Sequence, residues 1–285
     1  MLQRIIFGAI YAILAICLFI FASPSITGLV LGVICVIGLT EFLKATDVLG
    51  NKSKLPISIL SYVFCISMII EIFEGGKFYL AKSLTVFGND YGYLIPVIIL
   101  YIIVSFIVMV LNHKNITFND TSATIIGNIY ITVSLMHIYL IRILPNGKLY
   151  IWLPFLIAWL TDTFAYFTGY FLGKHKLIPS VSPKKTVEGS VGGIVGAVII
   201  VILFQLICSK YFDCKPNYLN GAIIAVVCSI MSQFGDLAAS CIKREHNVKD
   251  FGNIMPGHGG ILDRFDSVIY ISPILFILLN YIKLI

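Results

Sequence analysis

Long apolar stretches alternate with short polar ones along almost the whole chain. A membrane-spanning helix needs roughly 20 predominantly apolar residues, and nine stretches approach that length. Their centres lie near Leu14, Ile34, Cys65, Ile102, Thr132, Leu160, Ile199, Val226 and Leu275. The pattern therefore predicts an all-α, polytopic integral membrane protein with about nine transmembrane helices.

Composition strengthens this prediction and narrows the possible partners. Hydrophobic residues make up 59% of the chain and charged residues only 12%, whereas soluble domains are usually about 25% charged. The net charge of +6 does not require nucleic acid as a partner. The cations flank the apolar stretches, where they can face anionic lipid headgroups.

The distribution of Lys and Arg predicts how the helices are oriented. With nine spans, 13 of the 20 Lys and Arg residues fall on the same side of the membrane as the N-terminus. The cytoplasmic loops of polytopic proteins carry the excess of these residues. We therefore expect the N-terminus and two large basic loops, residues 173–193 and 240–266, to be cytoplasmic.

The two halves of the chain differ in the polarity of their predicted spans. Residues 1–150 contain apolar spans joined by short loops, and we interpret them as scaffold and lipid contact. In residues 151–285 the loops on the predicted cytoplasmic side are charged and the adjoining helices carry polar residues. The chemistry is expected there. No internal repeat or linker divides the chain, which favours a single membrane domain over residues 1–285.

Asp162 lies in the middle of a predicted span. Even the lower estimates put an ionised Asp at the bilayer centre at about 2.5–3.5 kcal/mol, so such residues usually face a cavity, a partner or a metal. Tyr166 and Gly169 follow at helical spacing and share its face. Asp162 is thus a candidate for substrate or metal support. The alternative is a hydrogen bond between helices, with Gly169 and Gly173 as packing positions.

Residues 240–266 form a charged segment between two apolar stretches. Its basic residues are Lys243, Arg244, Lys249 and Arg264, and its acidic residues are Glu245, Asp250, Asp263 and Asp266. Cationic side chains bind phosphate oxygens, and carboxylates bind hard divalent cations. This mixture is typical of a site for polyphosphate and a metal.

Three carboxylates in or beside the charged segment are candidate Mg²⁺ ligands. Asp236 recurs with Ser232 and Ser240 every four residues, so the three share one helix face. Asp263 and Asp266 are three residues apart and also share a face. Hard cations take oxygen ligands, which predicts metal ligation by Asp236, Asp263 and Asp266. The alternative is that the last two cap their helix and pair with Arg264.

The basic loop at 173–193 offers hydroxyl and ammonium donors at the entrance of a helix. These donors are Ser182, Lys184, Lys185 and Thr186. Such groups can bind phosphate, although the positive-inside rule alone also predicts lysines here. The loop lacks the P-loop pattern and the chain lacks a dinucleotide fingerprint, so a soluble nucleotide-binding fold is not indicated.

These residues together closely resemble the signature of the phosphatidate cytidylyltransferases, also called CDP-diacylglycerol synthases. The block S-x-x-K-R-x4-K-D-x-G-x3-P-G-H-G-G-x-x-D-R-x-D runs from Ser240 to Asp266. Two shorter blocks agree: D-x-x-A-Y-x-x-G begins at Asp162, and S-P-x-K-T-x-x-G begins at Ser182. The resemblance covers the C-terminal half, and the N-terminal half matches only in hydropathy.

The resemblance implies transfer of CMP from CTP to phosphatidic acid, giving CDP-diacylglycerol and pyrophosphate. It implies Mg²⁺ as cofactor, at a site for one or two cations, and a homodimer in the bacterial plasma (inner) membrane. The implied catalytic residues are Asp236, Asp263, Lys243 and Arg244. The implied substrate-binding residues are Ser182, Lys184, Lys185, Thr186, Asp162, Lys249 and Arg264. His258 is expected to order its turn rather than to transfer a proton.

Other functions fit part of the pattern. A related enzyme would load CTP onto a different lipid phosphate, such as an ether-linked isoprenoid, and assays with different lipid acceptors separate the two. A cation or proton transporter also uses intramembrane Asp residues and predicts ion flux without CTP consumption. The lack of visible repeat symmetry counts against it. A purely structural membrane protein would tolerate loss of Asp263.

Overall fold

A computed structural model describes residues 13–81, 94–255, 257 and 259–285. The long helices, in chain order, are α1 (Pro24–Ala45), α2 (Leu55–Ala81), α3 (Leu94–Leu111), α4 (Phe118–Gly127), α5 (Ser134–Ile143), α6 (Leu153–Leu172), α7 (Val187–Phe212), α8 (Tyr218–Glu245) and α9 (Leu262–Tyr281). The predicted all-α class is confirmed. His258 lies outside the described residues.

Shorter elements connect these helices. A helical stretch covers residues 13–21, a 3₁₀ turn covers Lys52–Lys54, a π-helical turn at Asn128–Val133 joins α4 to α5, and a short helix covers Gly147–Tyr150. Two strands, β1 (Lys176–Ile178) and β2 (Ser182–Thr186), form an antiparallel hairpin. The hairpin interrupts the helical chain between α6 and α7.

Six helical segments in the described part of the chain are long and apolar enough to cross a membrane. They are Pro24–Ala45, Lys52–Phe73, Phe118–Ile143, Gly147–Leu172, Val187–Phe212 and Tyr218–Glu245. These segments contain six of the nine predicted centres. The shorter apolar helix Pro96–Leu111 and α9 contain two more, Ile102 and Leu275. The exact number of nine spans stays a prediction.

Local sequence determines where several helices begin. The Ser23 side chain accepts a hydrogen bond from the Ile26 amide at 3.3 Å and starts α1. Thr117 and Asp120 form a capping box at α4, and Asn217 caps α8. Each cap satisfies an amide that has no partner inside its own helix.

The chain divides into two compact units. The first is Met1–Lys148 with Val248–Arg264, and the second is Leu149–Asn247 with Phe265–Ile285. Most of the charged segment's loop therefore belongs with the N-terminal helices. The single membrane domain over residues 1–285 stays a prediction.

The first unit contains buried polar contacts, which its apolar sequence did not lead us to expect. Asn128 donates from its side-chain amide to the Ser61 hydroxyl at 2.6 Å and to the Tyr101 hydroxyl at 3.0 Å. Lys54 and Asp120 form an ion pair at 2.7 Å. The scaffold is thus held by polar as well as apolar contacts.

In the second unit, small residues bring α6, α7 and α8 close together. A Cβ atom added at Gly189 of α7 would lie 2.7 Å from the Ala165 carbonyl oxygen of α6. The Thr161 hydroxyl of α6 donates to the Ser229 hydroxyl of α8 at 2.9 Å. These contacts hold α6 against α7 and α8.

Candidate active site

The hairpin is fixed to the start of α7 at both of its ends. Thr186, the last residue of β2, accepts a hydrogen bond from the Gly189 amide at 3.1 Å and caps α7. Just before β1, the Lys174 and His175 amides donate to the Glu188 carboxylate at 3.1–3.3 Å. The basic strand β2 is therefore presented in a defined position rather than on a loose loop.

Lys185 of this strand forms an ion pair with Asp236 of α8. The two side chains are 27% and 28% exposed, and the Lys185 Nζ atom itself is buried, so the pair is shielded from solvent. Its neighbour Lys184 is exposed. The structure thus brings one lysine of the predicted phosphate loop onto the polar face of α8.

A close helix contact places Asp266 near the same point. A Cβ atom at Gly235 of α8 would lie 2.7 Å from the Asp266 backbone oxygen on α9. The Asp266 carboxylate is repelled by Asp236 and Asp162 and attracted by Lys243. We call Asp162, Lys185, Asp236, Lys243 and Asp266 the carboxylate–lysine cluster. All five belong to the second unit.

The cluster combines three carboxylates with two lysines. Like charges in a partly buried site repel one another more strongly than in water, so an added cation stabilises this arrangement. Across the described ranges, no three His, Cys, Asp or Glu side chains are grouped so that they could hold a metal ion. A Mg²⁺ ion commonly uses one or two carboxylates and takes its other ligands from water and substrate phosphates. The donor set fits that mode.

Asp263 lies in the first unit, where it organises the loop over residues 248–264. Its Oδ2 accepts hydrogen bonds from the Phe251 amide at 2.9 Å and the Gly260 amide at 3.0 Å. The side chain is only 6% exposed. Gly259 in the same loop has φ +82°, a conformation that favours glycine. These bonds give Asp263 a loop-fixing role, and metal ligation by Asp263 stays a prediction.

A second carboxylate in this unit was missed from the sequence. Glu41 of α1 is 3% exposed and accepts hydrogen bonds from the Ile261 and Leu262 amides at 3.0 and 2.8 Å. The available signal was a lone acid in an apolar run ending at Leu43. An acid there is costly unless it has a partner.

Several predicted site residues, including Asp162 of the cluster, lie nearer the surface. Ser182 is half-buried at the start of β2, opposite Ile178 in the hairpin. The following predicted residues are exposed: Asp162, Lys184, Arg244, Lys249 and Arg264. Exposed cations remain accessible to an anionic substrate.

Comparison with known proteins gives a consistent family. A family model described as the Cytidylyltransferase family matches residues 2–282. A phosphatidate cytidylyltransferase of Staphylococcus epidermidis is 40% identical over 205 residues, which cover 70% of this chain and 76% of the relative. One of Bacillus subtilis is 43% identical over 171 residues, covering 60% and 62%. One of Staphylococcus aureus is 41% identical over 181 residues, covering 62% and 67%.

Proposed function

Because the chain belongs to the cytidylyltransferase family, we propose that it transfers CMP from CTP to phosphatidic acid. The products are CDP-diacylglycerol and pyrophosphate. The observation that carries the proposal is the ion pair between Lys185 and Asp236, which joins a predicted phosphate-binding lysine to a predicted metal-binding carboxylate. The names of the similar proteins support the choice of lipid acceptor.

The proposed reaction needs charge neutralisation more than proton transfer. An ionised phosphate oxygen of phosphatidic acid attacks the α-phosphorus of CTP. The bond from that phosphorus to the bridging oxygen breaks, and pyrophosphate leaves with the electron pair. Since the nucleophile is already ionised, no strong base is required. Cations near the reacting phosphates stabilise the transition state, and Lys185 and Lys243 of the cluster would do this.

We propose that Mg²⁺ is held by Asp236 and Asp266. Metal ligation by Asp263 is a separate proposal that rests on the resemblance alone. The cluster's excess of carboxylates fits a hard cation. When bound, Mg²⁺ would neutralise phosphate charge and help to align the attacking and leaving oxygens. Asp162, on the exposed face of α6, would tune the charge of the cluster. A second cation is part of the same proposal.

The predicted phosphate ligands take different proposed roles. Ser182, Lys184 and Lys185 present their polar groups along β2. Thr186 acts through the α7 cap, which fixes the position of that strand. Arg244, Lys249 and Arg264 are accessible cations that would guide CTP or hold its phosphates.

An apolar pocket of about 170 Å³ lies beside the hairpin, lined mainly by Leu177, Ile178, Ile230, Phe234 and Leu237. It is built from the same hairpin and the same helix, α8, that carry Lys185 and Asp236. We propose that it receives the part of an acyl chain nearest the glycerol. The headgroup phosphate would then remain at the polar cluster.

The proposed setting is the bacterial plasma membrane, with the N-terminus and the basic loops on the cytoplasmic side. That side carries the CTP pool, and the excess of Lys and Arg supports the orientation. A homodimer is proposed from the resemblance alone.

Purified protein in detergent tests the proposal directly. CTP, Mg²⁺ and phosphatidic acid should together release pyrophosphate and form a CDP-lipid, and omission of any one should stop both. If product forms only with another lipid phosphate, that lipid and not phosphatidic acid is the acceptor. Ion flux in proteoliposomes without CTP consumption would favour the transporter.

A further inference from the structure

We propose that Glu41 is a positioning residue for the transfer reaction, acting through the loop over residues 248–264. This inference rests on the proposed function, because that loop carries Lys249, Asp263 and Arg264. Glu41 lies in the half of the chain interpreted above as scaffold. Its contacts with the loop give that half a direct part in the chemistry.

The first observation is that both Glu41 carboxylate oxygens bind backbone amides. Oε1 accepts from Ile261 at 3.0 Å, and Oε2 accepts from Leu262 at 2.8 Å. Leu262 is the first residue of α9. Amides at a helix start have no partner within the helix, and negative charge is favourable there. Glu41 therefore fixes the point at which the loop becomes helix.

The second observation concerns two glycines of the loop. A Cβ atom at Gly260 would lie 2.5 Å from Glu41 Oε2, and a Cβ atom at Gly252 would meet the same carboxylate even more closely. Neither glycine has the positive φ found at Gly257 and Gly259. Backbone conformation therefore does not require glycine at 252 or 260. Glycine is required there because the Glu41 carboxylate occupies the space that a Cβ atom would need.

The third observation connects Glu41 to Asp263. The Gly260 amide donates to Asp263 Oδ2 at 3.0 Å, while the next residue, Ile261, donates to Glu41. Two buried carboxylates thus accept hydrogen bonds from the amides of consecutive residues, Gly260 and Ile261. The carboxylates of Glu41 and Asp263 also repel each other electrostatically. A displaced Glu41 would shift Gly260 and, with it, Asp263.

Glu41→Gln tests the proposal with little change in volume. One amide oxygen would become an NH₂ group facing a backbone N–H, so one hydrogen bond is lost. We expect kcat to fall at least tenfold, which corresponds to a loss of about 1.4 kcal/mol of transition-state stabilisation. KM for CTP and for phosphatidic acid should change little. Glu71→Gln on α2 is the matched control, since Glu71 is a half-buried acid in another N-terminal helix. It should leave both constants unchanged.

A double-mutant cycle separates positioning from general damage. Gly260→Ala should lower kcat strongly in the wild type, because the new methyl group meets Glu41. In a Glu41→Ala background the same substitution should cost clearly less than it does in the wild type. Equal cost in both backgrounds would show that the contact has no effect on the reaction and would overturn the proposal.

Amide hydrogen exchange measures how well the loop's backbone amides are protected, and it needs no substrate. In Glu41→Gln, exchange of the Ile261 and Leu262 amides should accelerate, while α7 amides remain unchanged. Faster exchange with unchanged kcat would make Glu41 purely structural and overturn the positioning role. If the wild type uses neither CTP nor phosphatidic acid, the proposed function fails, and the exchange result still decides whether Glu41 fixes the loop.

Discussion

Lys185 of the hairpin and Asp236 of α8 form an ion pair within the second unit. Each side chain is about a quarter exposed, while the Lys185 Nζ atom itself is buried. Under the proposed function, a phosphate would compete for Lys185 and a metal ion for Asp236. The ion pair would then be the substrate-free arrangement. On binding, Lys185 would contact a phosphate and Asp236 would contact the metal ion.

Lys185→Met should lower activity about 10²-fold, the scale seen when one stabilising donor is removed from an active site. Lys184→Met is the matched control, because Lys184 is adjacent but exposed. Its effect should be much smaller. Pyrophosphate release at saturating lipid and varied CTP measures both. Equal losses of activity in the two variants would mean that the ion pair gives Lys185 no special role in the reaction.

Asp236→Asn should abolish most activity while the protein stays folded, since the amide keeps the shape but loses the charge needed for Mg²⁺ and Lys185. Asp213→Asn is the control. Asp213 is exposed, and its backbone has the left-handed conformation at φ 51°, which Asn also tolerates. The control should retain full activity. Retained activity in Asp236→Asn would remove this residue from the proposed metal site.

Chelation of divalent cations should stop the reaction, and added Mg²⁺ should restore it. Asp266→Asn should raise the Mg²⁺ concentration needed for half-maximal activity, because one carboxylate of the cluster is lost. Titration of activity with Mg²⁺ at fixed CTP measures the shift. An unchanged midpoint would place the ion elsewhere.

Gly235→Ala should destabilise the second unit by about 1–3 kcal/mol, the usual cost of overpacking. Its Cβ atom would lie 2.7 Å from the Asp266 backbone oxygen. Gly38→Ala is the control, because its Cβ atom would meet Ile131 at 3.4 Å, an ordinary contact. Apparent melting temperatures in detergent compare the two. Similar melting temperatures would contradict the close approach of α8 and α9.

Cysteine labelling tests the proposed orientation. In a background without native cysteines, Lys184→Cys should react with an impermeant reagent only from the cytoplasmic side. Lys215→Cys, in the loop between α7 and α8, should react only from the opposite side. The reverse pattern would invert the topology predicted from Lys and Arg.

The sequence predicted helix positions well because hydropathy is a local property. Six predicted centres lie in long apolar helices, and the four-residue spacing predicted that Asp236 shares a helix face with Ser232 and Ser240. Spacing carries no information about which helix faces which. The ion pair of Lys185 with Asp236 and the approach of Asp266 to Gly235 depend on tertiary packing, so they became visible only in the structure.

Glu41 shows a different limit. Its partners are backbone amides, which every residue except proline carries, so no sequence pattern marks them. The C-terminal acids attracted attention because they occur together. A lone acid in an apolar helix is a weaker pattern, yet its burial cost made a partner predictable even though the partner's identity was not.

The bonds from Glu41 to the start of α9 join residues 220 and 221 positions apart. Ribosomes add about 5–20 residues per second, so roughly 11–44 seconds separate the synthesis of Glu41 from that of Ile261. During that interval the Glu41 carboxylate must be accommodated by other groups, and Lys44 lies one turn further along α1. The loop can take its final form only once Leu262 has been synthesised. A nascent chain released before Leu262 would lack the bonds that order the loop, so α1 is complete long before its Glu41 acquires these partners.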